Sequence, residues 1–122
     1  MSDDFLKVAR QEIKDELDRL DQVLSNCNND EHIFVNSEQI ELHLHKIRGL
    51  APMMGQDKVG EIAKTVATVL KHIINNGVLK GSYIIIIEAI KKMTNLFNGH
   101  NINDVDDFRD RVRIAFPEIS EW

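Results

Sequence analysis

The sequence predicts an all-α fold, an antiparallel four-helix bundle with an additional C-terminal helix. Three observations carry this expectation. Apolar residues recur at three- and four-residue spacing almost throughout. Only 2 prolines and 6 glycines interrupt the 122 residues. Short polar breaks separate long amphipathic segments, which favours antiparallel neighbours. The length is that of one domain, so residues 1–122 are read as a single unit.

The first segment runs from about Ser2 to Asn26. Leu6, Ala9, Ile13, Leu17, Leu20 and Leu24 make its stripe, with Ser2 as a candidate cap and Asp3 and Asp4 at the positive end of the helix dipole. The Asn-rich stretch from Asn26 to Asp30 ends it. The second segment spans Asn36 or Ser37 to Met54, opened by a capping box of Asn36 with Gln39. Ile40, Leu44, Ile47, Ala51 and Met54 are its buried stripe, and Gly55 stops it. The third, Asp57 to Asn75, presents Val59, Ile62, Ala63, Val66, Val69, Leu70, Ile73 and Ile74 on one face. Asn75, Asn76 and Gly77 terminate it.

The fourth segment, Ser82 to Asn98, opens with four isoleucines, Ile84 to Ile87, which alone could be a buried strand. Ile86, Ile90, Met93 and Phe97 continue at helical spacing and no partner strand exists, so it is read as a helix. The fifth, Asp104 to Phe116, turns Val105, Phe108, Val112 and Ala115 inward and ends at Pro117.

The formal net charge of −5 argues against general nucleic-acid binding, which needs a basic footprint. A single cysteine, Cys27, excludes an intramolecular disulfide and fits a reducing compartment. It lies in a polar stretch without basic neighbours, which does not suit a reactive thiolate. The acidic start is unlike a secretory leader, and the apolar run 83–87 is far short of the roughly 20 residues of a membrane span. A cytoplasmic, monomeric protein is expected, with no membrane partner.

The pattern breaks on the outer face of the second segment. With Ile40 at zero on a helical wheel, Leu44, Ile47, Ala51 and Met54 fall within about 40°, His45 at about 140° and Gly49 at about 180°. A glycine inside a helix costs about 1 kcal/mol against alanine. On an outward face it serves no packing, and it strips side chain from the turn beside His45. Pro52, read as a mid-helix proline, would kink the rod on the same side. Leu42, Lys46, Pro52 and Met53 then frame a partly apolar docking platform around the histidine. Arg48, one turn on, can support an anion there, with Lys64 of the third segment as a second candidate. A neutral imidazole is nucleophilic and can accept a phosphoryl group. No Gly-rich phosphate loop followed by Lys and Ser or Thr is present, so transfer from ATP by this chain itself is not expected.

The stretch from His45 to Gly55 (HKIRGLAPMMG) resembles the signature of histidine-containing phosphotransfer domains: His, any residue, Ile or Leu, a basic residue, Gly, four residues, an apolar residue, Gly. His45, Ile47, Arg48, Gly49, Met54 and Gly55 fill it, and the fifth helix makes the chain most similar to the phosphotransfer domain of chemotaxis-type histidine kinases. The resemblance implies that His45 carries the phosphoryl group, Arg48 is the basic residue and Gly49 the small one that opens the site. It implies a histidine kinase and a response-regulator receiver domain as partners, no cofactor on this chain, and magnesium on the partner. Chemotaxis-type members place a glutamate on the third helix; an ungapped count puts Ala67 there, with Lys64 and Thr68 nearby.

Blander readings stand beside this one. His43, two residues before His45, points roughly 200° away on a helix, so the two are not expected to share a metal. His32, His72 and His100 read as solvated, and Arg109, Arg111 and Arg113 as a surface helix. A phosphotransfer-like adaptor that carries no phosphate, binding a receiver or kinase domain, is the alternative function. A purely structural helical assembly is the third.

Overall fold

In the computed structural model, residues 3–101 and 103–122 are described. Six α-helices follow in order: α1 (Asp3–Ser25), α2 (Asp30–Val35), α3 (Ser37–Leu50), α4 (Asp57–Asn76), α5 (Ser82–Phe97) and α6 (Val105–Ala115), with one 3-10 turn at Pro52–Met54. No strand occurs among the described residues, so the four isoleucines of 84–87 are helical.

Periodicity places the long helices well. α1 buries Ala9, Ile13, Leu17, Leu20 and Leu24 and leaves its outer face charged. Its expected cap, Ser2, lies outside the described residues. α3 buries Ile40, Leu44 and Ile47, and α4 buries an unbroken face from Val59 to Ile73. These side chains meet in one core in which Ile13, Leu20, Ile40, Leu44, Ile47, Leu70 and Phe108 are all fully enclosed. Each large aliphatic side chain so buried stabilises the fold by about 1.5–3 kcal/mol before the cost of ordering. α3 packs chiefly on α4 and, on its other flank, on α1; α4 continues to α5, and α5 returns to α1. α6 lies against α4, and α2 bridges α3 and α5.

Four local expectations are corrected. The stretch after Asn26 holds the short helix α2, which the polar composition hides. Asn29 opens it by accepting from the His32 N–H at 2.9 Å, and Ile33 anchors it in the core. Cys27 is therefore not in an open loop but enclosed, at 2 % exposure. Burial pushes its thiol pKa up, against a lowering hydrogen bond from Asn36.

The capping box at Asn36 does not form. Asn36 closes α2 as well as preceding α3, and its side-chain amide donates back to the His32 carbonyl at 2.9 Å. Pro52 is not inside a helix: α3 ends at Leu50, and Pro52 starts the 3-10 turn, where its missing N–H costs nothing. Gly55, at φ +69°, then reverses the chain in a conformation that favours glycine. Finally, Ala115 is exposed and the inward role passes to Phe116. The helix stops at Ala115, and a non-helical turn at Phe116 sends that ring into the core.

α2 has a second task. α5 begins at Gly81 without a capping side chain of its own. The Asp30 carboxylate reaches across from α2 and accepts from the backbone N–H groups of Gly81 (2.9 Å) and Tyr83 (2.8 Å). A negative charge on the orphan donors of a helix N-terminus is favourable both as hydrogen bonds and against the dipole. The contact ties residues about fifty positions apart.

Candidate functional site

α3 faces three ways. Ile40, Leu44 and Ile47 enter the core, His43 turns toward α1, and His45, Lys46, Arg48 and Gly49 face outward. His45 is exposed, as the wheel requires. A Cβ added at Gly49 would meet nothing within 4 Å. The space beside His45 is therefore open, and packing does not require the glycine.

His45 and Gly49 line a groove of about 650 Å³ between α1 and α3. Its α1 wall carries Glu12, Asp15, Glu16 and Arg19, and Lys46 and Leu50 complete the α3 side. Beneath it lies a polar cluster that sequence reasoning missed. Glu16 is 4 % exposed. It accepts from His43 Nδ1 at 2.5 Å and from Arg19 at 2.8 Å, and Lys46 Nζ stands 3.7 Å away. An ionised carboxylate accepts only, so a Glu16 carboxylate requires His43 to carry a proton on Nδ1. The buried charge is tolerable because both oxygens are partnered. A wheel on α1 holds the signal, since Glu16 falls only about 60° from Ile13, as His43 does from Ile40. The two neighbouring histidines therefore divide: His43 braces α1 against α3, and His45 is free to meet solvent. Among the described residues, no group of three or more His, Cys, Asp and Glu side chains is arranged to hold a metal ion.

Arg48 and Lys64, expected together beside His45, do lie together, but in a second groove of about 490 Å³ on the other flank of α3. Lys71 of α4, Arg109 and Arg113 of α6 and the terminal Trp122 line it with them. His45 thus stands on the ridge between an α1 side bearing Glu12 and Asp15 and an α4–α6 side rich in cations. Ala67 is 1 % exposed and belongs to the core, so a carboxylate at that position would have to be desolvated.

Of the residues expected to dock a partner, Leu42 is 50 % and Met53 42 % exposed. Lys46 and Pro52 are exposed as well. Other large apolar side chains also face solvent, notably Val35, Ile84 and Ile114, so exposure alone does not mark the platform. No helix is long and apolar enough to cross a membrane among the described residues.

None of the protein-family models, curated proteins or solved structures compared with the chain matches it.

Proposed function

We propose that this chain is a histidine phosphotransfer module, a member of the family that the His45–Gly55 stretch resembles. In this reading α1, α3, α4 and α5 form the antiparallel four-helix bundle, with α6 as the additional C-terminal helix. The cyclic contacts α1–α3–α4–α5–α1 support it. The observation that carries the functional reading is the open helical turn at Gly49 beside an exposed His45.

A neutral His45 nitrogen attacks the phosphorus of a phosphorylated donor. An N–P bond forms as the donor's bond to phosphorus breaks, and the donor group leaves with the electron pair. In the second step a receiver aspartate oxygen attacks the same phosphorus, the N–P bond breaks and the imidazole is regenerated. Metal and acid–base groups for both steps belong to the partner, a histidine kinase or a response-regulator receiver domain. On this chain Arg48, one turn from His45, offsets charge on the phosphoryl oxygens. Lys64 adds a cation to the same flank, and Leu42, Lys46, Pro52 and Met53 form the contact rim.

The test is phosphoryl transfer from a phosphorylated receiver or kinase to wild type and His45→Gln. Acid-labile label on wild type alone is expected. Equal label on folded His45→Gln overturns the assignment. The adaptor reading is favoured by one feature, the buried, apolar Ala67 at the position where an ungapped count places the carboxylate of chemotaxis-type members. Tight receiver binding without transfer would select it.

A further inference from the structure

We infer that the groove between α3, α4 and α6 is a binding site for a small polyanion of the phosphate class, which does not use His45 but shares Arg48 and Lys64 with the proposed phosphoryl transfer. The chain is acidic overall, with 20 Asp and Glu against 15 Lys and Arg. Yet Arg48, Lys64, Lys71, Arg109 and Arg113 converge on this one groove, against only Glu61 and Glu121 as acids. Three helices far apart in sequence supply the cations, so this is not the periodic face of one helix.

Several cations elsewhere in the protein are neutralised by acidic neighbours. Lys14 pairs with Asp18, Arg111 with Glu88 and Asp107, and Lys92 with Asp104. In the groove only Arg109 is so engaged, by Asp106 and Asp110. Arg48, Lys64 and Lys71 have no ion pair among the described residues, and Arg113 has only the face of the Trp122 ring, 5.7 Å from its centroid. Like charges held together without counter-charge repel, and a bound anion relieves that repulsion.

Trp122 also lines the groove, with its indole N–H shielded from solvent and so not offered to a ligand. The groove volume of about 490 Å³ lies in the range of small-molecule sites. Arginine forks and lysine point charges around such a volume match several phosphate oxygens at once. Arg48 of α3, Arg113 of α6 and the two lysines of α4 suit a ligand with more than one phosphate group.

Trp122 is the only tryptophan, so intrinsic fluorescence reports on this groove directly. The experiment titrates the whole protein with sodium tripolyphosphate and with ATP, followed by fluorescence and by calorimetry at two salt concentrations. Saturable binding that weakens with salt is expected. Lys71→Glu and Arg113→Glu should each weaken it by about tenfold or more, while His45→Gln leaves it unchanged. Equal affinity for the two probes assigns the site to the phosphate chain; preference for ATP assigns part of it to a ring against the indole. Absence of saturable heat with both probes overturns the inference, and so does binding untouched by both charge reversals in folded protein. Because His45→Gln is silent here and decisive for phosphotransfer, the two readings fail separately.

Discussion

Replacing Glu16 and His43 separately and together measures how α1 is held against α3. Glu16→Leu leaves the buried His43 Nδ1–H without its acceptor and releases Arg19 and Lys46, which are half exposed and regain water. The expected loss is about 2–3 kcal/mol, the range for stranding a buried group that was bonded to a charge. His43→Leu leaves the carboxylate with Arg19 and a distant Lys46, for about 1–3 kcal/mol. The double variant removes both polar groups from an interface lined by Ile13, Leu17, Leu20 and Ile47. Its loss should be smaller than the sum by about 1–3 kcal/mol, because neither partner is left stranded. Urea denaturation with a common slope gives each value. Melting should follow at very roughly 3–6 °C per kcal/mol for this length. If the three losses add to within about 0.5 kcal/mol, the pair is not coupled and the bracing argument fails.

At Gly49, alanine fits without contact and should stabilise the helix by about 0.5–1 kcal/mol. Gly49→Lys should keep the fold but slow transfer to a receiver; an unchanged transfer rate would sink the steric argument. Asp30→Ala removes the borrowed cap of α5, and a loss of about 1–2 kcal/mol is expected in denaturant melts. A change under about 0.3 kcal/mol, the scatter expected of a neutral site, would mean that water serves as well. The Lys92 ammonium, 2.6 Å from Asp104, holds that carboxyl below its ordinary 3.8. A depressed acid contributes stability above its unfolded-state value and loses it as pH falls through the lower folded-state value. Wild type should therefore lose its advantage over Asp104→Asn only below pH 3.8. An advantage that vanishes nearer neutrality would point to another group.

Much of this was legible because apolar periodicity survives any local detail. The buried faces of α1, α3, α4 and α5 follow their spacing, and the exposure of His45 follows from its angle to Ile40. What escaped was of another kind. α2 is six residues long, and one buried side chain, Ile33, gives no periodic signal. The cap on α5 comes from Asp30, which local sequence around Gly81 cannot announce. Pro52 was misplaced because a wheel continues through a helix end unless something stops it, and the stop came a turn before Gly55. Glu16 was passed over because a stripe was sought among apolar residues only. Its angle admits it, and only the three-dimensional arrival of His43 and Arg19 makes its burial tolerable. Arg48 and Lys64, expected beside His45, line one groove together, but it opens away from Glu16, toward α6.

These misses bear on how the proposed site would work. His43 and His45 differ by two positions and about 200°, and so experience opposite surroundings. His43 is fixed by a buried carboxylate at the α1–α3 contact, which holds the helix that carries His45 at a set height against its neighbours. A transfer site needs that rigidity, because a phosphoryl group must pass between two nucleophiles placed by two separate proteins. It also needs clearance, and here stability and access conflict. An outward glycine with empty space around it is the residue that helix propensity alone would replace with alanine. Ordinary packing explains every buried residue of α3, but it explains neither Gly49 nor the unpaired Arg48 one position before it. The proposed phosphoryl-transfer partner, approaching over Gly49 and bringing negative charge toward Arg48, would account for both.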